Sequence, residues 1–421
     1  MSDAPIAPGP DLPRRFAALR NRDARPYLFA AGLSMMADNV EHVITYWVLW
    51  QKFHSPALVG FEVVSHWLPY LLLSVWFGGL AQRFDCRRLI QIAQGLFMLV
   101  SIAWGILFLT GTLQIWEACI LLVLHGCAGA LWGPAEQLML HDFVERKELP
   151  SAVRLNATFR SLGILFGPVV GSALLLGLGS TLGIFANVLI YVPMTIVMAS
   201  TKFTGHIRDA SDVAARLRVG LLSSFRLLGE LRSNRLLVSM IVLAGLVAIT
   251  IGGALQVSMP TFANSLGAGT AGLAYGVLLL ANGAGGVLGG FFLEATGLLK
   301  PSARSAIIAT VAFGLATLAF SVTGSYLAAI VALVIGGVAN IASLSITQSI
   351  VQLEAPSNDR GRVYGVYGVF ASGFRTGNGI TLGVLGALLG IPYSIALCAG
   401  ILVIGAVVTG LYGRTGRRAI A

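Results

Sequence analysis

Charged residues are scarce in this chain: Asp, Glu, Lys and Arg make up 11% of its 421 residues, whereas hydrophobic residues make up 56%. A soluble globular protein usually carries about 25% charged residues, so this composition excludes a mainly water-soluble architecture. Runs of roughly 20 apolar residues recur between short polar gaps, as is typical of transmembrane helices. Since only helices and closed barrels span lipid, and the runs show no period-two alternation, we predict an all-α membrane protein.

Signatures of enzymes and of ATP-driven pumps are also missing. The four cysteines form no spaced cluster, and no Gly-Lys-Ser/Thr loop is present to bind a nucleotide phosphate. The net charge of +10 comes from basic residues in the gaps between apolar runs rather than from one soluble face. We therefore predict no enzyme activity, no cofactor and no nucleic-acid partner.

The apolar runs form two sets of six, separated by a long polar stretch. They begin near Tyr27, Ala57, Leu89, Ile115, Pro150, Thr181, Leu236, Ala271, Ala303, Ser325, Gly361 and Ile391. The pattern predicts twelve transmembrane helices in two pseudo-symmetric six-helix bundles. The boundaries are a cytoplasmic tail over 1–26, an N-terminal half over 27–201, a cytoplasmic linker over 202–235, a C-terminal half over 236–413 and a tail over 414–421.

The basic residues predict the orientation. Of the 28 Lys and Arg residues, 25 lie in the tails, the linker and the loops on the same side as the first tail. Lys52 alone falls in a loop on the other side, and Arg160 and Arg375 fall inside predicted helices. Because cytoplasmic loops are enriched in Lys and Arg, we predict a multi-pass protein of the bacterial inner membrane with both termini in the cytoplasm.

Two regions carry a family resemblance. The second gap reads Gly78-Gly79-Leu80-Ala81-Gln82-Arg83-Phe84-Asp85-Cys86-Arg87-Arg88, which resembles the Gly-x-Leu-Ala-Asp-Arg signature of the major facilitator superfamily. The blocks Gly133-Pro134-Ala135, Glu148-Leu149-Pro150, Arg154-Leu155-Asn156, Gly167-Pro168 and 356–365 resemble the branch with the enterobactin exporter and macrolide-efflux-like proteins.

The resemblance implies a transporter with gating residues at the cytoplasmic ends of its helices. Gln82 stands where the family has an acidic residue, which puts the usual gating ion pair in doubt, and Asp85 is the candidate to replace it. The gating residues implied are Gly79, Gln82, Arg83, Asp85, Arg87, Arg88, Glu136, Arg154 and Arg362.

The first predicted helix carries Ser34, Asp38, Glu41, His42 and Thr45 on one face. A charge at the membrane centre costs about 2.5–3.5 kcal/mol on insertion scales, so a mid-membrane Asp indicates function. We predict that Asp38 couples transport to protons, with help from Glu41 and His42. A structural Asp that hydrogen-bonds a neighbouring helix is the alternative. Asp38 and His42 could also bind a divalent cation, although we predict no metal site.

Further polar and aromatic residues inside the predicted helices are candidates for substrate binding. Arg375 lies too deep to reach the surface, so we expect it to attract an anionic or hydrogen-bonding part of the substrate. Arg160 and Glu136 should lie at similar depth and pair. Glu294, near a helix end, is expected to be solvated. The substrate-binding candidates are Ser34, His66, Trp67, His125, Trp132, Arg160, Arg375 and Asn378.

The predicted function is secondary active transport, with export of a small organic molecule, siderophore-like or drug-like, in exchange for protons. Import, or movement of a lipid or lysolipid, by the same fold is the alternative. A membrane enzyme or receptor would be favoured by a soluble catalytic domain or a clustered His/Cys site, and the sequence shows neither. The predicted partners are the substrate, protons and the lipid bilayer, and the chain is expected to be a monomer.

Overall fold

The computed structural model describes residues 15–206, 231, 234–252, 254–266 and 271–415. Most of the predicted linker and both extreme ends (1–14, 207–230, 232–233 and 416–421) lie outside the described residues. Within those ranges every regular element is helical. We refer to residues 15–206 as the N-terminal part and to residues 234–415 as the C-terminal part.

The helices of the N-terminal part are α1 (Ala17–Arg20), α2 (Ala24–Phe53), α3 (Pro56–Arg83), α4 (Cys86–Thr110), α5 (Ile115–Phe143) and α6 (Leu149–Ser200). Those of the C-terminal part are α7 (Arg235–Thr250), α8 (Ala254–Ser265), α9 (Ala271–Thr296), α10 (Ala303–Val322), α11 (Tyr326–Glu354), α12 (Arg360–Ala371), α13 (Thr376–Leu389) and α14 (Ile391–Thr415). Short 3-10 turns over Ser357–Asp359 and Gly373–Arg375 precede α12 and α13.

Short polar residues determine where several helices begin. The backbone N–H of Leu58 donates to the Ser55 hydroxyl, 3.3 Å away, at the start of α3. Asn234 caps α7 in the same way. Such side chains satisfy one of the four N–H groups that a helix start leaves without partners. Each predicted apolar run begins within three residues of an observed helix start, or of the break in α6.

Helix α6 is 52 residues long, which would reach about 78 Å as one straight helix. The hydrocarbon core is only about 30 Å thick. The helix is interrupted at Gly179, whose φ of 77° lies in the left-handed region that glycine adopts without strain. This break falls two residues before Thr181, where the sequence predicts a new helix.

Eight helical segments in the described ranges are long and apolar enough to cross a membrane. They are Val64–Arg83, Cys86–Thr110, Ile115–Phe143, Leu149–Ser200, Gly276–Thr296, Ala303–Val322, Tyr326–Glu354 and Ile391–Tyr412. Many large apolar side chains on them are exposed, among them Leu99, Leu176 and Ile404. In water such an apolar surface would cause association, whereas lipid accommodates it.

The two parts of the chain meet where α3 crosses α12. The backbones approach so closely that a Cβ on Gly78 would collide with the carbonyl oxygen of Gly361. Gln82 accepts a 2.5 Å hydrogen bond from the backbone N–H of Gly361 and donates to the carbonyl of Ser357. Small residues allow this approach in lipid, where packing rather than the hydrophobic effect holds helices together.

A second contact joins α6 to α9. The Arg154 guanidinium lies 2.8 Å from a Glu294 carboxylate oxygen, and both residues are buried. The other Glu294 oxygen accepts from the backbone N–H of Phe16, at 2.9 Å, and from the Ser151 hydroxyl. The expectation that Glu294 is solvated is therefore wrong: it is near the end of its helix, but the N-terminal part covers it.

Candidate functional site: a buried histidine–carboxylate cluster

The imidazole of His125 on α5 lies between two carboxylates of α2. Its Nε2 is 2.8 Å from an Asp38 oxygen and its Nδ1 is 2.9 Å from a Glu41 oxygen. Residues three apart on a helix lie on one face, which is why both carboxylates reach the same ring. A neutral imidazole has only one N–H to donate. The trio therefore holds an extra proton, either on His125 or on one of the carboxylates.

The trio is enclosed on the α4 side. His125 is 3% exposed and Glu41 is 2% exposed. The Ser101 hydroxyl of α4 donates to the second Glu41 oxygen. The Phe97 ring packs edge-on against His125 at 4.8 Å between centroids, and it stacks on Tyr191. These contacts fix the imidazole and keep water away from one of its sides.

Two more histidines extend the cluster towards α3. His42 Nδ1 lies 3.9 Å from the second Asp38 oxygen. The His66 ring is 4.8 Å from the His42 ring and 5.7 Å from the His125 ring. The potential ligand atoms of Asp38, His42, His66 and His125 all lie within 4.8 Å of one another. We call Asp38, Glu41, His42, His66 and His125 the histidine cluster.

Arg375 adds a positive charge beside this cluster. Its guanidinium lies 4.7 Å from the Trp67 ring, and Trp67 packs against His66 at 4.5 Å. Within the described residues we find no hydrogen bond or ion pair for this guanidinium, and its Nε is buried without a partner. Glu294, Glu354 and Asp359 are the only acidic residues after position 236. A buried charge without an ion-pair partner is costly, so this position suits an anionic ligand.

Arg160 has a partner inside the protein. Its guanidinium is 2.6 Å from a Glu136 oxygen, which confirms the predicted pair. Asn156 donates to the other Glu136 oxygen at 3.0 Å. Arg160 also lies 4.7 Å from the ring of Trp132, whose Nε1 is buried and has no hydrogen-bond partner among the described residues. The positive charge of Arg160 is thus paired with a carboxylate, whereas the described residues show no ion pair for Arg375.

Two of the remaining substrate-binding candidates make helix–helix contacts. The Ser34 hydroxyl donates to Gln94 of α4 at 3.0 Å, and both residues are fully buried. Asn378 donates from its side-chain amide to the carbonyl of Ala248 on α7. Their roles in substrate binding stay predictions.

The gating residues implied by the family resemblance divide into two groups. Gln82 and Arg154 join the two parts of the chain, as described above. The Asp85 carboxylate accepts from Arg87 at 2.7 Å and caps α4 within the same loop, so its contacts in this structure are local and its gating role stays a prediction. Gly78, rather than Gly79, makes the close approach to Gly361.

The other implied gating residues make local contacts. Arg87 also donates to the carbonyl of Thr201 at 2.8 Å, Arg88 to the Gln91 side chain at 2.9 Å, and Arg362 pairs with Asp359 at 2.8 Å. Arg83 is exposed and lies over the Phe84 ring. A gating role for these residues stays a prediction.

Sequence reasoning missed Ser101, Phe97 and Tyr191, which support the cluster. Each is an ordinary residue of an apolar helix, and no motif marks it. Hydropathy gives the depth of a residue in the membrane but not the rotation of its helix about its axis. The contact of His125 with both carboxylates depends on that rotation.

Comparison with known proteins supports the family resemblance. The sequence profile of the transmembrane secretion effector family matches residues 14–414. The staphyloferrin A transporter of Staphylococcus aureus (strain NCTC 8325 / PS 47) is 23% identical over 151 residues, which are 35% of this chain and 38% of that protein. The match therefore spans well under half of the curated relative.

Solved structures share the fold. The fucose:proton symporter FucP of E. coli aligns with a TM-score of 0.67 at 14% identity over 94% of this chain and 99% of its own. The proton:xylose symporter XylE aligns with a TM-score of 0.69 at 15% identity over 94% of this chain and 95% of its own. Such low identity shows the fold alone. With the profile match over nearly the whole chain, it follows that this membrane protein is a transporter, not an enzyme, and belongs to the transmembrane secretion effector family of the major facilitator superfamily.

Proposed function

We propose that the protein is a secondary active transporter that exports a small organic molecule, siderophore-like or drug-like, in exchange for protons by alternating access. In this proposal α2 to α14 form twelve membrane spans in two six-helix halves, over 27–201 and 236–413. α6 supplies two spans, and α7 with α8 and α12 with α13 supply one each. The observation that carries the proposal is the histidine cluster, in which Asp38, Glu41 and His125 are buried. Beside it lies Arg375, for which the described residues show no ion pair.

The contacts between the two parts of the chain indicate which side is closed. The Gly78–Gly361 crossing, the Gln82 hydrogen bonds and the Arg154–Glu294 pair all lie at the end that carries most of the basic residues. By the positive-inside rule that end faces the cytoplasm. The His42 side chain, beyond the middle of α2, keeps 20% of its surface accessible. We propose that this state is closed to the cytoplasm, and that both termini are cytoplasmic in a bacterial inner membrane.

The chemistry of the cluster suits proton exchange. The two carboxylates and His125 share one extra proton between atoms 2.8 and 2.9 Å apart. In the protonated form the trio has less net negative charge and is easier to occlude in a low-dielectric interior. In the deprotonated form it favours the state in which water or a cation reaches it. A proton that binds one state more tightly than the other shifts the equilibrium between them. Asp38 is the proposed coupling residue, since it is the more accessible carboxylate of the two.

The substrate is proposed to bind between the halves, against Trp67, Trp132, Arg160 and Arg375. Transporters of this fold hold their substrates near the membrane midplane between the two repeats. Arg375 has no ion pair among the described residues and lies on the Trp67 ring, so it would bind an anionic group of the substrate.

The test is substrate-dependent proton flux in vesicles that contain the purified full-length protein. A small panel of siderophores, antibiotics and lysolipids would be added on either side, with an internal pH indicator as the readout. We expect at least one organic anion to move protons in the opposite direction to itself. Flux in the same direction would indicate symport, and transport without proton movement would refute the coupling.

A further inference from the structure

Four side chains of the histidine cluster have the composition of a transition-metal site. Asp38, His42, His66 and His125 offer three imidazole nitrogens and one carboxylate oxygen, all within 4.8 Å of one another. We propose that these four residues bind a divalent transition-metal ion, of the zinc or cobalt type. This inference goes beyond the proposed transport function and does not depend on it, because ion binding can be measured without transport.

The geometry requires only small movements. Four ligands at about 2.0–2.1 Å from a tetrahedral zinc ion lie roughly 3.4 Å from each other. The Asp38–His125 pair is already shorter than that, at 2.8 Å, and the His42–Asp38 pair is slightly longer, at 3.9 Å. The ligands come from three helices, α2, α3 and α5, so the site is a feature of the folded protein rather than of a local motif.

His66 supplies an independent indication of a ligand. Its Nδ1 is buried and has no hydrogen-bond partner in the described residues, although buried polar atoms are nearly always paired. Its ring nevertheless faces His42 and His125 at 4.8 and 5.7 Å. An ion held by those rings would give this imidazole the partner that the protein itself does not supply.

Glu41 and Ser101 already form the hydrogen bonds that usually orient a metal-binding histidine. Metal-binding histidines usually donate their second N–H to a carboxylate, which fixes the ring and makes the metal-binding nitrogen more basic. Glu41 lies 2.9 Å from His125 Nδ1, and Ser101 in turn donates to Glu41. His125 Nε2 is then the nitrogen that binds the ion. When the metal binds, it replaces the proton that lies between His125 Nε2 and Asp38.

The donor set also selects the class of ion. Imidazole nitrogens suit zinc, copper, cobalt and nickel, whereas magnesium and calcium prefer sites made wholly of oxygen. An ion can reach the site because the His42 and Asp38 side chains keep 20% and 12% of their surface accessible. With three neutral imidazoles and one carboxylate, a bound divalent ion leaves one net positive charge, or none if the nearby Glu41 is counted.

The experiment measures cobalt and zinc binding by the full-length protein, purified in detergent without a polyhistidine tag. Tetrahedral cobalt has intense visible absorption bands, which zinc should abolish by displacement. We expect one ion per chain in the wild type. His66→Gln should remove most of the binding, because it removes one of the four ligands. Since His66 Nδ1 has no hydrogen-bond partner among the described residues, the change should leave the fold intact. Glu41→Gln should weaken binding by about 10- to 100-fold while the stoichiometry is kept.

His54→Gln is the matched control, because His54 is exposed in the turn between α2 and α3 and outside the cluster. It should bind like the wild type. Size-exclusion profiles of all variants exclude misfolding. The proposal is overturned if the wild type gives no tetrahedral cobalt spectrum. It is equally overturned if His66→Gln and His42→Gln, both folded, bind cobalt as tightly as His54→Gln does.

Discussion

The Arg154–Glu294 pair should hold the proposed cytoplasmic side closed, and Glu294→Gln is the change that tests this. The substitution keeps the shape of the side chain but removes its charge. Arg154, only 7% exposed, is then left without a counter-charge in the closed state. In an open state the two parts separate at this end and water can hydrate the guanidinium.

Removal of one partner of a buried ion pair typically costs about 3–5 kcal/mol. Arg154 retains hydrogen bonds to the carbonyls of Leu293 and Leu299, at 3.4 and 3.3 Å, so we expect the lower end of that range. At 1.4 kcal/mol per factor of ten, about 3 kcal/mol changes the ratio of closed to open molecules by roughly a hundredfold. The open population should therefore be larger than in the wild type.

The assay is a distance distribution between spin labels at Arg83 and Lys300, both exposed at this end, in a background without the four native cysteines. Glu294→Gln should add a longer-distance population. Glu145→Gln is the control, because the Glu145–Lys147 pair is exposed and such pairs contribute about 0–1 kcal/mol. An unchanged distribution in folded Glu294→Gln would refute the idea that this pair holds the end closed.

Three further outcomes follow from the same structure. Arg375→Ala should weaken substrate binding at least tenfold with little loss of folded protein, and unchanged affinity by titration would remove Arg375 from the site. Gly78→Ala should widen the same spin-label distances, because its methyl group meets Gly361, whereas Gly95→Ala, with open space around it, should not. A single cysteine at Lys52 should react with an impermeant maleimide on intact cells. A cysteine at Arg216, outside the described residues, should not, and its labelling from outside would contradict the orientation.

The helix pattern could be predicted from the sequence because lipid imposes a simple rule. A spanning segment must be apolar and about 20 residues long, and the polar gaps between such runs are short here. The observed starts at Ile115, Ala271, Ala303 and Ile391 coincide with the predicted ones. The break inside α6 also agrees with the sequence, because Gly179 lies just before the predicted helix start at Thr181.

The site could be predicted only in part. Asp38 was singled out by its depth, and the Arg160–Glu136 pair followed from equal depth on neighbouring helices. The contact of His125 with Asp38 and Glu41 was not predicted, because it depends on how α5 is rotated towards α2. Glu294 was predicted to be solvated because it lies near a helix end. That prediction was wrong because residues of the N-terminal part bury it.

Gln82 shows what a family motif does not predict. The family resemblance suggested that an acidic residue is needed at this position and that Asp85 could supply it. The structure shows instead a neutral amide that bonds to the backbone of Gly361 and Ser357. The buried charge pair across the two parts is found elsewhere, at Arg154 and Glu294. A motif identifies which surfaces meet but not which side chains carry the interaction.

Proton coupling through the histidine cluster is tested most directly by transport of Asp38→Asn in vesicles, measured in two modes. Counterflow of labelled substrate needs only binding and alternating access, whereas accumulation against a substrate gradient also needs proton coupling. Asn keeps the size of Asp38 and can still hydrogen-bond His125, but it cannot titrate. We expect normal counterflow in Asp38→Asn and no accumulation driven by a pH gradient. Accumulation with the wild-type dependence on pH would contradict the claim that the histidine cluster couples transport to protons through Asp38.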